Sequence, residues 1–360
     1  MLIRRIIGAL AAALAMTLLA AVGAWAAEPP SAFGIGSTSG IVDRADQADN
    51  EVWFAAQDPN SRAKLLLSYN TTPALGSPVP AIVVVGSVPP DDQALQGSNG
   101  WFEEPVPVPL GYSVSDNPPS IVSPEGSVVY DPARHAYHLQ LNISLGAAAD
   151  LWFSGPVGGL TDPTMWDGQT SFWNQSLGTG TVNGWIIFPG ETAKTAVTNW
   201  GAEQETQSGS FELGAPPIVP APHNGYYYAQ SVNADGSATT FYVFPELDGS
   251  IRGILTRTTA SGQVFECEPS GPGQATASDW YTDPGGVSYP LSLSAHCADI
   301  RTGQQLTGSW TTTPTQSNAY YVDVLLGGFA AVQSVASSPG AKAAWIQHVA
   351  DDGHFGPNFS

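Results

Sequence analysis

Apolar and polar residues alternate along this chain in short runs. The clearest is AYHLQLNISL at 136–145, where Tyr137, Leu139, Leu141, Ile143 and Leu145 fall on one side. His138, Gln140, Asn142 and Ser144 fall on the other. A period of two means a strand with one dry face. The same reading predicts strands at 51–57, 63–69, 81–87, 181–188, 239–244, 251–258, 289–297 and 320–326. Between them stand QDPNS, YDPARH, NADGS, ELDGS and TASGQ, which carry the Asp, Asn, Pro and Gly that tight reversals need. Helical periodicity is almost absent, except that the tail 336–360 is expected to hold a short helix. No β-α-β alternation is visible. The expected fold class is all-β: two antiparallel β-barrels or β-sandwiches in tandem.

The proline-rich run APPIVPAP at 215–222 resists both helix and central strand, so an extended linker is expected at 214–221. It separates an N-terminal β domain, 27–213, from a C-terminal one, 222–335. Before them, Arg4 and Arg5 precede an apolar run that ends in Ala24-Trp25-Ala26. That is the pattern of a signal peptide over 1–26, which implies secretion or delivery to a secretory-pathway lumen, with no stable membrane insertion after cleavage. An uncleaved anchor is the rival reading of the same run.

Composition narrows the function. With 31 acidic against 11 basic residues the net charge is −20, which repels phosphate backbones and disfavours nucleic acid as a partner. In an oxidising compartment Cys267 and Cys297 are expected to form a disulfide. Asn70, Asn142, Asn174 and Asn358 head glycosylation sequons, which matter only in a host that uses them. The familiar catalytic motifs are missing: GSTSG at 36–40 has Thr38 where a nucleophilic serine belongs, and there is no HExxH or P-loop. HAYH at 135–138 has a tempting spacing, but on a strand its two imidazoles diverge. Glu203, Glu205 and Gln207 would share one strand face beside Trp200, either as an outer surface or as a polar row facing a cavity.

The stretch NGYYYAQ at 224–230 concentrates aromatic surface tipped with hydroxyls. On a strand, Tyr226, Tyr228 and Gln230 share one face, and Tyr227 and Ala229 the other. Cross-strand packing in a core explains such a cluster. So does the wall of a ligand pocket with Asn224 at its entry.

Several segments resemble, in order, the fungal Diels–Alderases that form decalins and cytochalasans. NEVWFAAQDPNSRAKLLLSY (50–69) resembles that family's opening strand pair. The region 224–268, from NGYYYAQ through FPELDGSIRGILTRT to FECE, is similar to the start of its second domain. DPGGVSYPLSLSAHC and AYYVDVLLGG resemble its later strands. More distantly the layout is similar to carotenoid hydratases of the hydroxyneurosporene-synthase type. Those carry a His and a Trp near the domain junction where this chain has Thr206 and Ser208, which counts against hydration.

The resemblance implies tandem lipocalin-like domains, an apolar pocket, no cofactor, and an intramolecular [4+2] cycloaddition of a linear polyene. The substrate would be a polyketide or polyketide–amino acid hybrid, and the partners upstream enzymes of a polyketide synthase pathway. It implies catalytic roles for Tyr226, Tyr228 and Gln230, with Asn224, Trp53, Trp173, Trp185 and Trp200 as candidate substrate contacts. Two other readings stay open: a non-catalytic lipocalin-like carrier of an apolar molecule, and a carbohydrate-binding β-sandwich with exposed rings.

Overall fold

The computed structural model describes residues 49–58, 64–71, 73–74, 77–78, 82–88, 106–107, 113–116, 119–123, 126–142, 148–156, 160–162, 172–187, 192–209, 226–245, 251–284, 286–324 and 327–350. The expected signal peptide, the proline linker, Asn224 and Asn358 lie outside them. Among the described residues there is no α-helix; a single 3-10 turn, Pro314–Gln316, interrupts an all-β, lipocalin-like fold of curled antiparallel sheets.

The first sheet gathers twelve strands between residues 49 and 209. At its centre Asp49–Gln57 pairs with Thr195–Gly209, which pairs with the long strand Phe172–Ile187. One face is dry. Phe54 packs 4.8 Å from Phe153 and 5.5 Å from Tyr137, ring centre to ring centre. Tyr137, Leu139 and Leu141 are buried there, while Gln140 and Asn142 are exposed, as alternation requires. Pairing is irregular between Phe172–Ile187 and Thr195–Gly209, with register shifts near Asn174, Leu177 and Val182. Such bulges bend a strand and curl its sheet.

The second sheet has seven strands, with Tyr226–Asn233 flanked by Ala238–Pro245 and Ala341–Ala350. A three-stranded sheet, Ala275–Thr282, Ser288–Ala298 and Gln305–Thr311, covers its inner side. The core between them holds Tyr227, Phe241, Leu255, Tyr289, Leu293, Trp310 and Ile346. Cys267, in Val264–Cys267 of the larger sheet, is bonded to Cys297 of the smaller one, so the expected disulfide staples the two layers together.

The helix expected in the tail is a strand instead. Ala341–Ala350 lies between Tyr226–Asn233 and Gly327–Ala336, and Ala343 to His348 are all buried. Its alanines favour a helix locally, but a central strand covered on both faces wins more from burial than propensity can offer.

Candidate functional site

The larger C-terminal sheet has a second face, and that face packs on the outer side of the first sheet. Val232, Tyr228, Tyr242, Ala343 and Trp345 form one buried cluster with Ala55, which is next to the inward-facing Phe54. At one end the two sheets touch closely. A side chain on Gly201 would put its Cβ 2.6 Å from the Cβ of Ala343 and 3.2 Å from that of Val232, so only glycine allows this approach. Hydrogen bonds pin the same end. Gln230 Nε2 donates to the Gly178 carbonyl at 3.1 Å, and Thr179 Oγ1 donates to the Gly236 carbonyl at 2.7 Å. The Ala344 amide donates to Gln57 Oε1, and the Thr240 hydroxyl donates to Gln230 Oε1.

Away from that end the seam is lined by rings and amides. Tyr228 is paired in register with Tyr242 on one side and Gln347 on the other, and Gln347 with Gln333. Directly paired residues share a face, so Tyr242, Tyr228, Gln347 and Gln333 form one rung across four strands, a span of roughly 14 Å at ordinary strand spacing. All four are buried. The next rung carries Tyr226, half-buried, with Phe244 beside it. Tyr226 meets Tyr242 edge-on at 5.3 Å, and Tyr228 meets Tyr242 in the same way at 5.3 Å. Gln347 Nε2 donates a 2.8 Å hydrogen bond to the Tyr226 hydroxyl oxygen. The seam is thus tight at Gln230 and Val232 and reaches solvent at Tyr226.

Tyr226, Tyr228 and Gln230 share this face, as the period of two requires. Gln230 is fully buried and ties the sheets together, whereas Tyr226 stands at the open end. Tyr227 points the other way, into the core, 4.8 Å from the ring of His348. Burial pushes the Tyr227 phenol well above its ordinary range, so it stays protonated.

The four tryptophans are dispersed. Trp200 is buried, and alternation sets it on the side of Ala202 and Val182, opposite to Gly201. Trp185 is half-buried in register with Asp150, with the Lys194 ammonium 3.5 Å from its ring centre. Trp53 pairs with Glu205 and Ser68, two residues before Ala55, and Trp173 pairs with Gln207 and Asp162; their side chains lie outside the described residues. The two imidazoles of HAYH part company. His135 sits in a turn at φ 49°, while His138 stacks on Trp152 and lies 2.9 Å from Asp150 Oδ1.

Sequence reasoning missed Tyr242, Trp345, Gln347 and Gln333. For the middle two, burial on both faces leaves no dry and wet alternation to mark them, and the alanines before them favour a helix locally.

No family model matches the chain, and no curated protein does. Solved structures do. An AttH-like protein of Nitrosomonas europaea superposes with a TM-score of 0.60 at 14% identity, covering 93% of this chain and 99% of that one. CghA superposes at 0.56 with 9% identity, over 86% of this chain and 90% of its own. CghA in complex with Sch210972 gives 0.55 at 9% identity, over 84% and 88%. At such identities the likeness is one of fold.

Proposed function

We propose that the protein is a Diels–Alderase-like pericyclase. It takes a linear polyene, a polyketide or polyketide–amino acid hybrid, into the seam and holds it folded for intramolecular [4+2] cycloaddition. The observation that carries this reading is the rung Tyr242, Tyr228, Gln347 and Gln333, capped by the Tyr226–Gln347 hydrogen bond. It offers flat apolar surface and neutral hydrogen-bonding groups.

Such a wall suits a reaction that moves no proton and needs no nucleophile. What the reaction needs is order. Fixing a flexible chain in one reactive shape removes several kcal/mol from the barrier, within the range of about 7–11 kcal/mol that positioning can supply. A phenol or amide N–H directed at a carbonyl on the dienophile adds electrostatic stabilisation as charge shifts onto that oxygen. The edge-on rings hold one another in place, so the hydroxyls they carry are positioned before the substrate arrives. That the fold of CghA accommodates Sch210972 supports a small-molecule role for this architecture. Secretion, through the leader at 1–26, is part of the proposal.

Deletion of the gene in its host, followed by mass-resolved profiling of small molecules, tests the reading. A pericyclase predicts that a linear compound accumulates while a cyclic isomer of identical mass disappears. An unchanged profile overturns it. A carrier predicts that the same compounds persist and only their distribution changes.

A further inference from the structure

Thr256 belongs to the seam wall. It lies in Ile251–Thr258, paired in register with Thr240, which pairs in turn with Gln230. Directly paired residues share a face, and Ile254, two residues before Thr256, is part of the buried seam cluster. Thr256, Thr240 and Gln230 therefore form a polar rung, one rung deeper than Tyr242 and Tyr228. All three are buried, Thr256 completely, at 0% exposure.

Two members of that rung are already bonded. Gln230 Nε2 donates to the Gly178 carbonyl at 3.1 Å, and its Oε1 accepts from the Thr240 hydroxyl. The Thr256 hydroxyl is not. Among the described residues it has no hydrogen-bond partner, neither Thr240 nor Glu266, its neighbour in register on the other side. Buried hydroxyls are nearly always bonded, because one left dry and unpaired forfeits its hydration. Thr256 stands two strands from Gln230, roughly 10 Å at ordinary strand spacing, so the contact with Gly178 lies to one side of it. Along the strands it is roughly 13 Å deeper than Tyr226. A chain end that enters at Tyr226 and runs past the Tyr228 and Tyr242 rings arrives there.

We propose that Thr256 is a specificity contact of the seam, donating its hydroxyl proton to a carbonyl oxygen at the leading end of the guest. On the polyene reading, which this assignment presupposes, the substrate is a polyene ketone, ester or amide that enters carbonyl first and trails its hydrocarbon end toward Tyr226. Fluorescence titration of the full chain with the methyl ester of parinaric acid, and with the same conjugated tetraene lacking the ester, tests this. Thr256→Val keeps the shape and removes the hydroxyl. It weakens the ester by about threefold to tenfold, the scale of one neutral hydrogen bond, and leaves the hydrocarbon unchanged. Thr256→Ser, which keeps the hydroxyl, holds the ester more tightly than Thr256→Val does. Without ligand, Thr256→Val melts no lower than the parent, because no internal hydrogen bond is lost. A lower melting temperature, an ester affinity unchanged by Thr256→Val, or an equal loss for the hydrocarbon overturns the proposal and leaves the polyene reading standing. Saturable binding of neither probe by the parent overturns the polyene reading, and this assignment with it.

Discussion

Gln347 and Tyr226 lie on neighbouring strands and share a 2.8 Å hydrogen bond from the glutamine amide to the phenol oxygen. The bond ties the final strand to the start of the C-terminal sheet at the open end of the seam. In Tyr226→Phe with Tyr228→Phe the rings and their packing survive and the donors vanish. Turnover of the linear precursor should fall by about tenfold to a hundredfold, with a change in unfolding free energy of only about 1–2 kcal/mol. Full activity in that double variant removes these hydroxyls from the mechanism and leaves the fold untouched.

Gly201 tests the close end. An added methyl would meet Ala343 and Val232, and both belong to strands fixed by pairing on each side. Gly201→Ala should destabilise the protein by about 1–3 kcal/mol, read as a lower urea midpoint. A midpoint equal to that of the parent would mean that the sheets do not meet there.

The disulfide makes a separate prediction. Cys267 and Cys297 are 30 residues apart in sequence. Closing a loop of that length stabilises by about 3–4 kcal/mol in the chain-entropy description. Reduction, or Cys267→Ser with Cys297→Ser, should lower the unfolding free energy by about that amount. The seam lies on the other face of the sheet, so ligand binding there should persist at temperatures where the variant stays folded.

Asp299, next to the disulfide, makes an acid-dependent contribution. Its carboxylate accepts from the Thr302 hydroxyl (2.7 Å), the Glu266 amide (2.8 Å), the Thr302 amide (2.7 Å) and the Arg301 amide (3.2 Å). These bonds, the Thr302 hydroxyl first, hold its pKa down to about 2. The unfolded value is about 3.9, so the folded state binds this proton less readily. The stabilisation is fully present above about pH 4 and is lost as pH falls toward the folded value. Asp299→Asn should lower the melting temperature at neutral pH, and the gap to the parent should close between about pH 4 and pH 2. A constant gap across that range would contradict the assignment.

Alternation made most strands legible, because a half-buried strand writes its own dry side into the sequence. It also placed Tyr226, Tyr228 and Gln230 together, since adjacency at period two is a local fact. Which face meets the other sheet was not local. It depends on Gly201 and Ala55, small residues whose meaning appears only when Val232 and Ala343 pack against them. The last strand was hidden for a related reason: burial on both sides erased its alternation and left an alanine-rich run that resembles helix. Ring size alone does not distinguish Trp200 in a core from half-buried Trp185 beneath Lys194, so the sequence does not rank the tryptophans.

Binding of a neutral polyene at the seam is the most direct measurement. The methyl ester of parinaric acid is a conjugated, uncharged and intrinsically fluorescent chain. Titrated into the protein, it should accept energy saturably from Trp345, which borders the rung. Tyr228→Ala with Gln347→Ala, which removes the centre of the rung, should weaken the signal by about tenfold or more in protein that still melts cooperatively. A linear, non-saturating response in the parent, or an undiminished one in the folded variant, would contradict a seam that closes around a flexible guest.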